Sequence, residues 1–137
     1  MNSIAVKLFD MERACFEQPW SLPTIVATLE NPCAICVIEE RGFALGLRLC
    51  GECELFRIAV LPQYRGQGAG LSLMRNFLRQ CGDCPVFLEV ASRNTPAIKL
   101  YQKCGFAEIN RRKNYYPDDD GITMKKQQGR HIPPGKE

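Results

Sequence analysis

The sequence predicts a single α/β domain built on one mixed sheet, and three observations carry that expectation. Apolar residues at helical spacing give way to a run of short strand-like segments, after which helix and strand alternate. A glycine-dense turn, Arg65-Gly66-Gln67-Gly68-Ala69-Gly70, stands between a strand-like stretch and a helix-like one. Val86-Phe87-Leu88-Glu89-Val90 is a short, nearly all-apolar run, as expected of a central strand buried on both faces.

The elements follow in order. Ile4 to Phe16 carries apolar residues at helical spacing, and Pro19-Trp20-Ser21 breaks it. Ser21 is a fair N-cap for a second helix through Leu22, Ile25, Val26 and Leu29, which Asn31-Pro32 ends. Ala34 to Glu39 reads as a strand, Arg41-Gly42 as a turn and Phe43 to Leu49 as the returning strand. Cys50-Gly51-Glu52-Cys53 is a tight connection to a third strand, Leu55 to Val60, whose alternation puts Phe56, Ile58 and Val60 on one face. A helix from Gly68 to Gln80 is expected to bury Leu71, Met74 and Leu78, with Leu73 and Phe77 flanking. After the central strand comes a helix from Asn94 to Lys103, with Pro96 in its first turn and Gly105 as the stop. Phe106 to Tyr115 and Gly121 to Lys125 read as antiparallel strands around a turn from Pro117 to Gly121. Residues 1–126 form one domain, and 127–137, with two prolines and no apolar pattern, are expected to be a loose tail.

Composition excludes several classes. A formal charge of +3 is too small, and the basic residues too scattered, to point to nucleic acid. Arg111-Arg112-Lys113 and Lys125-Lys126 read as solvated faces. No signal peptide is visible, and no apolar run approaches the ~20 residues of a membrane span, so neither a membrane nor a secretory route is expected. The expected location is the cytoplasm.

The glycine turn is an anion cradle. Glycine lets the backbone approach a ligand closely, and the free N–H groups of the following helix point at it. No Lys-Ser or Lys-Thr follows, so the Walker-type loop fails, and no register gives the dinucleotide fingerprint. What remains is Arg-x-x-Gly-x-Gly. Downstream, Asn94-x-x-Ala97-x-x-Leu100-Tyr101-x-x-x-Gly105-Phe106 and then Arg112-x-Asn114-Tyr115-Tyr116-Pro117 agree with it, as do Glu12-Arg13, Phe16 and Pro19-Trp20 upstream. Together these resemble the GNAT acetyltransferases, and within them the bacterial ribosomal-protein-alanine N-acetyltransferases, from about Glu12 to Met124.

The resemblance implies a GNAT fold: a mixed, mostly antiparallel sheet flanked by helices, with two strands splayed into a V for acetyl-CoA. Family members usually open with a strand before the first helix, and there is almost no chain for it here, so that first edge strand is expected to be missing. Gly66, Gln67, Gly68, Ala69, Gly70 and Leu71, with Arg65, would cradle the pyrophosphate. Ile58, Ala59 and Val60 would offer backbone groups to pantetheine, with the Val60 amide polarising the thioester carbonyl. Asn94 would bond the pantetheine arm, a role compatible with capping its own helix.

Two side chains stand out as catalytic. A carboxylate inside a buried strand is costly unless it is paired or at an open end, so Glu89 is either an ion-paired structural residue or a base facing the slot. Tyr101 lies seven residues after Asn94 on the same helix face, and is either a packed aromatic or a proton donor. With reference values of ~10 for a phenol and ~8.5 for a thiol, protonating a leaving thiolate is only mildly uphill. The resemblance favours base for Glu89 and acid for Tyr101, with direct attack by the amine. Cys104 lacks a partner histidine, since His131 lies in the tail, and no covalent intermediate is needed.

Six of eight cysteines form Cys-x-x-Cys pairs: Cys33/Cys36, Cys50/Cys53 and Cys81/Cys84. Cys50, Cys53, Cys81 and Cys84 are the set a structural zinc would use. Cys36 falls within a strand and the family needs no metal, so free thiols are the expected state. The expected acceptor is a protein or peptide N-terminus, with the N-terminal alanine of a ribosomal protein implied by the resemblance. A small amine or lysine acceptor, or a non-catalytic CoA-binding regulatory domain, are the alternatives. The oligomeric state is not legible.

Overall fold

The computed structural model describes residues 3–128. Four helices and six strands follow one another as α1 (Ser3–Cys15), α2 (Leu22–Glu30), β1 (Ala34–Glu39), β2 (Gly42–Leu49), β3 (Glu52–Val60), α3 (Ala69–Cys81), β4 (Val86–Ala91), α4 (Thr95–Lys103), β5 (Ala107–Tyr116) and β6 (Asp119–Lys126). The strands make one sheet in the order β1-β2-β3-β4-β6-β5. Every pairing is antiparallel except β3 with β4. The first described element is α1, and β1 forms that edge of the sheet. No described helix is long and apolar enough to cross a membrane.

Helices cover both faces. On one, α1 and α2 bury Ala5, Leu8, Met11 and Ile25 against Phe43, Leu45 and Ala59. On the other, α3 and α4 bury Leu73, Met74, Phe77 and Tyr101 against Leu55, Val86, Leu88 and Val90. Here two expectations are corrected. The face of α3 that is buried runs through Leu73, Met74, Phe77 and Cys81, while Leu71 and Leu78 are only half-buried. The helix is rotated toward Phe77, whose ring presses on Gly46; a Cβ there would lie 2.6 Å from the Phe77 Cζ. β4 is central but buried on one face only: Val86, Leu88 and Val90 are buried, while Phe87, Glu89 and Ala91 are half-buried. On that side Glu89 and Ala91 line an open cleft.

The two strands that make the V are β3 and β4. They pair at only two positions, Cys53 with Val86 and Glu54 with Phe87. Immediately beyond, β3 carries a β-bulge: Leu45 pairs with Arg57 and Gly46 with Leu55, leaving Phe56 without an opposite. A bulge bends its strand and sharpens the local twist. The bulge also switches faces, because Cys53 and Leu55 join the α3/α4 core before it, and Ile58 and Val60 pack there after it. β3 turns away from β4 at the point where pairing stops, and the gap between them widens toward Val60 and Ala91.

Smaller boundaries also shift. β3 begins at Glu52, three residues earlier than expected, because Cys50 and Gly51 alone take the positive φ values (55° and 80°) of a two-residue hairpin turn. Tyr116 pairs with Asp119, so the β5–β6 turn is only Pro117-Asp118. The described start of the tail is tied down, since the Gln128 amide donates to the Leu78 and Gly82 carbonyls at 3.1 and 2.6 Å. Residues 129–137, including His131, lie outside the described part.

Candidate active site

A cleft of about 720 Å³ fills the gap between β3 and β4 and runs through the sheet from α4 to the C-terminal end of α1. Its floor is Ile58 and Val60 from β3 and Glu89, Val90 and Ala91 from β4. At one end lie Gly66, Gly68, Ala69 and Gly70, at the other Phe16, Phe56, Arg57 and Tyr116.

The glycine end is made of backbone. Gly66 and Gly68 take φ of 80° and 82°, the left-handed region that glycine occupies without strain. Gly68 is the N-cap of α3, and among the described residues no side chain caps the first-turn N–H groups. The N-termini of α2 and α4 differ: Ser21 accepts from the Thr24 N–H and Asn94 from the Ala97 N–H, each at 3.3 Å. Thus α3 presents unsatisfied donors at the cleft. The Arg65 Nε donates to the Val60 carbonyl at 2.9 Å, which fixes the turn against the end of β3. Because the Leu61 N–H donates across to Arg41, the alternation of the ladder aims the Val60 and Ile58 N–H groups into the gap.

The middle holds the two titratable candidates. Glu89 is half-buried, and both carboxylate oxygens accept from the Thr123 hydroxyl, at 2.7 and 3.1 Å, across the β4–β6 pair. The Arg112 Nε stands 3.8 Å from Glu89 Oε1, on a largely exposed side chain. Glu89 is therefore held at the floor of the cleft by one hydroxyl and one loosely placed guanidinium. Tyr101 is buried on α4, its ring 5.9 Å from that of Phe106. Burial, then the neighbouring Tyr116 and Cys104, push its phenol up to about 12. It keeps its proton throughout the neutral range. The gap to a thiol's ~8.5 is wider than reference values imply, because burial gives a phenolate little solvation.

The far end is made of side chains from several elements, and its key pair was not singled out as functional in the sequence. Glu12 is 1% exposed. It accepts the Trp20 N–H at 2.8 Å and both Nε and Nη2 of Arg57, at 3.0 and 2.9 Å. The Arg57 guanidinium lies 4.0 Å from the Phe16 ring centroid and 5.2 Å from that of Trp20. One signal was available: Glu12 continues the buried stripe of Ala5 and Leu8 on α1, where a carboxylate demands a partner. The partner's identity depends on the bulge, which the sequence does not announce. Tyr116 faces the same end, and burial, then the charge of Glu89, raise its phenol.

Of the residues singled out from the sequence, Ile58, Val60, Arg65, Gly66, Gly68, Ala69, Gly70, Glu89, Asn94 and Tyr101 line this one cleft. Ala59, Gln67 and Leu71 do not. Ala59 alternates to the α1/α2 core, Gln67 sits exposed at the tip of the turn with its amide on the Gln63 carbonyl, and Leu71 is half-buried within the first turn of α3. The cysteines are free thiols, and among the described residues no three His, Cys, Asp or Glu side chains gather as a metal would need. Cys53 and Cys81 are buried, Cys84 is half-buried and Cys50 is exposed in the hairpin turn.

A helix N-terminus with bare donors beside a splayed pair of strands, a carboxylate and a phenol between them, suits an enzyme that takes a phosphate-bearing carrier into the slot. The comparisons agree. Residues 5–106 match the model of the acetyltransferase (GNAT) family. A [ribosomal protein bS18]-alanine N-acetyltransferase of Haemophilus ducreyi is 35% identical over 122 residues, covering 84% of each chain. The crystal structure of the ribosomal-protein-S18-alanine N-acetyltransferase from Escherichia coli superposes with a TM-score of 0.86 at 27% identity, over 96% of this chain and 93% of that one. Arabidopsis thaliana Naa50, in complex with the bisubstrate analogue CoA-Ac-MVNAL, shares the fold at a TM-score of 0.74 and 21% identity, over 92% and 94%. The chain belongs to the GNAT acetyltransferase family. It is an N-acetyltransferase with acetyl-CoA as cosubstrate.

Proposed function

We propose that the acceptor is the α-amine of a protein or peptide N-terminus, and that an N-terminal alanine on a ribosomal protein is the natural one. The relatives named for that reaction support the second half. The observation that carries the first is the through-going shape of the cleft. Backbone donors at the α3 end suit the carrier's phosphates. Glu89 lies between that end and an open mouth at Phe16, Phe56, Arg57 and Tyr116, where a chain terminus can enter.

The residues divide the chemistry. The bare N–H groups of Gly68 to Gly70 hold pyrophosphate oxygens, with Gly66 and Arg65 shaping the turn. The Val60 N–H polarises the thioester carbonyl and strengthens its bond as charge develops there. Glu89 takes the proton from the incoming ammonium, directly or through one water, so that a neutral amine attacks. Tyr101 gives its proton to the departing sulfur. Asn94 caps α4 and keeps its amide N–H₂ at the cleft for the pantetheine arm.

The test is mass spectrometry after incubation with acetyl-CoA. One peptide carries a free N-terminal alanine, and a matched one has a blocked N-terminus and an internal lysine. Mass is preferable to thiol-reagent detection because the chain has eight cysteines. Acetylation of the free N-terminus alone is expected. Acetylation of lysine or polyamines in its place would overturn the reading, and binding of acetyl-CoA with no acceptor modified would favour a non-catalytic role.

A further inference from the structure

We propose that Arg57 reads the backbone carbonyl of the acceptor's first residue, and that Glu12 holds the guanidinium in position to do so. The inference rests on the N-terminal acceptor and says how such an acceptor is told from other amines.

Arg57 has five N–H donors in a fixed fork. Nε and both hydrogens of Nη2 are used inside the protein, on Glu12 Oε2, Glu12 Oε1 and the Gln18 carbonyl, the last at 3.3 Å. Nη1 has no hydrogen-bond partner among the described residues. The side chain is 21% exposed and lines the cleft at its open mouth. Its plane cannot swing freely, because Glu12 grips one edge bidentately and Phe16 and Trp20 flank it.

This is a costly arrangement for mere stability. A buried ion pair rarely outperforms an apolar pair of similar volume. Here it leaves two unused, charge-assisted donors on a partly exposed side chain that lines the mouth, on the strand opposite that of Glu89. A peptide N-terminus carries a carbonyl on the carbon next to its amine. A lysine ε-amine or a polyamine has none there. A donor at the mouth therefore favours a peptide terminus without contacting its side chain.

Arg57 is on this view a substrate-binding residue, and Glu12 a positioning residue acting through it. The experiment compares kcat/KM for an alanyl peptide with that for the same peptide carrying an (E)-alkene in place of its first carbonyl. The difference in basicity between the two amines cancels when the wild-type ratio is divided by the variant ratio. Arg57→Lys should cut the preference for the carbonyl peptide by about 10- to 100-fold, the range of one hydrogen bond to a charged group. Glu12→Gln/Arg57→Met keeps an acceptor for Trp20 and a stem against Phe16 should the first variant fold poorly, and should lose the preference equally.

A purely structural role would lower both rates together and leave the ratio unchanged, which would overturn the inference. That outcome would leave the N-terminal reading intact. Failure of the wild type to acetylate any peptide N-terminus would defeat that reading itself.

Discussion

The two ends of the cleft are built in different ways. The α3 end is backbone: two glycines with positive φ and a helix that starts without a side-chain cap. Its residues are consecutive, so a short stretch of sequence specifies it completely. The α1 end is side chain: Glu12 and Phe16 from α1 and the turn after it, Arg57 from the bulge, and Tyr116 from the far hairpin. No stretch of sequence contains it. The difference separates a grip that consecutive backbone supplies from a surface that side chains of several elements must shape together.

The sharpest way to break the α1 end is to unpair it. Glu12→Leu strands Arg57 without its carboxylate and removes the acceptor for Trp20, and should destabilise the fold by about 3–5 kcal/mol. Chemical denaturation measures this. A loss under about 1 kcal/mol would mean the pair is solvated and does not hold α1 to the bulge. At the centre, Tyr101→Phe removes only a hydroxyl with no hydrogen-bond partner among the described residues, so the fold should survive. kcat should fall by about 100-fold with KM for acetyl-CoA little changed, the expected size for a general acid.

The α3 end should respond differently. Apart from its chain neighbours, a Cβ at Gly68 would meet no atom of the described residues within 4 Å, so any loss beyond backbone strain reflects the ligand. Gly68→Ala should raise KM for acetyl-CoA by about tenfold with a smaller change in kcat, and should cost only about 1–2 kcal/mol of stability. A variant that lost kcat alone would contradict the assignment of this turn to binding.

Legibility followed the same division. The α2 cap at Ser21, the β1 bounds, the glycine turn and the Asn94 cap were readable because each is a local signal whose physics is complete within four or five residues. The burial pattern of α3 is not legible because Leu71, Leu73, Met74 and Leu78 are similarly apolar, and the ring of Phe77 against Gly46 decides which way the helix rolls. The partner of Glu89 was hidden because Thr123 reaches it only through the β4–β6 register. The V itself was available by resemblance alone; its physical cause, Phe56 bulging out of β3, leaves no mark in the alternation of Phe56, Ile58 and Val60.

The smallest expected effect is a matter of pH. Burial raises the folded-state pKa of Tyr101 to about 12, above the ~10 of an exposed phenol. A raised value means the folded state binds the proton more tightly. The associated stability is fully present below about pH 10 and is lost as pH climbs toward 12. Thermal melts across that window should fall more steeply for the wild type than for Tyr101→Phe. Parallel curves would mean that the phenol is better solvated than its burial implies.

The idea that the two ends meet at Glu89 is tested most directly by Glu89→Gln, with acetyl-CoA affinity and peptide turnover measured on the same preparation. Glutamine keeps the size and an acceptor oxygen for Thr123, but cannot take a proton at neutral pH. The expected result is an unchanged dissociation constant for acetyl-CoA and a fall in kcat of about 100- to 10,000-fold on an alanyl peptide. Turnover within about threefold of the wild type would show that the proton leaves by another route and that Glu89 is a structural partner of Thr123.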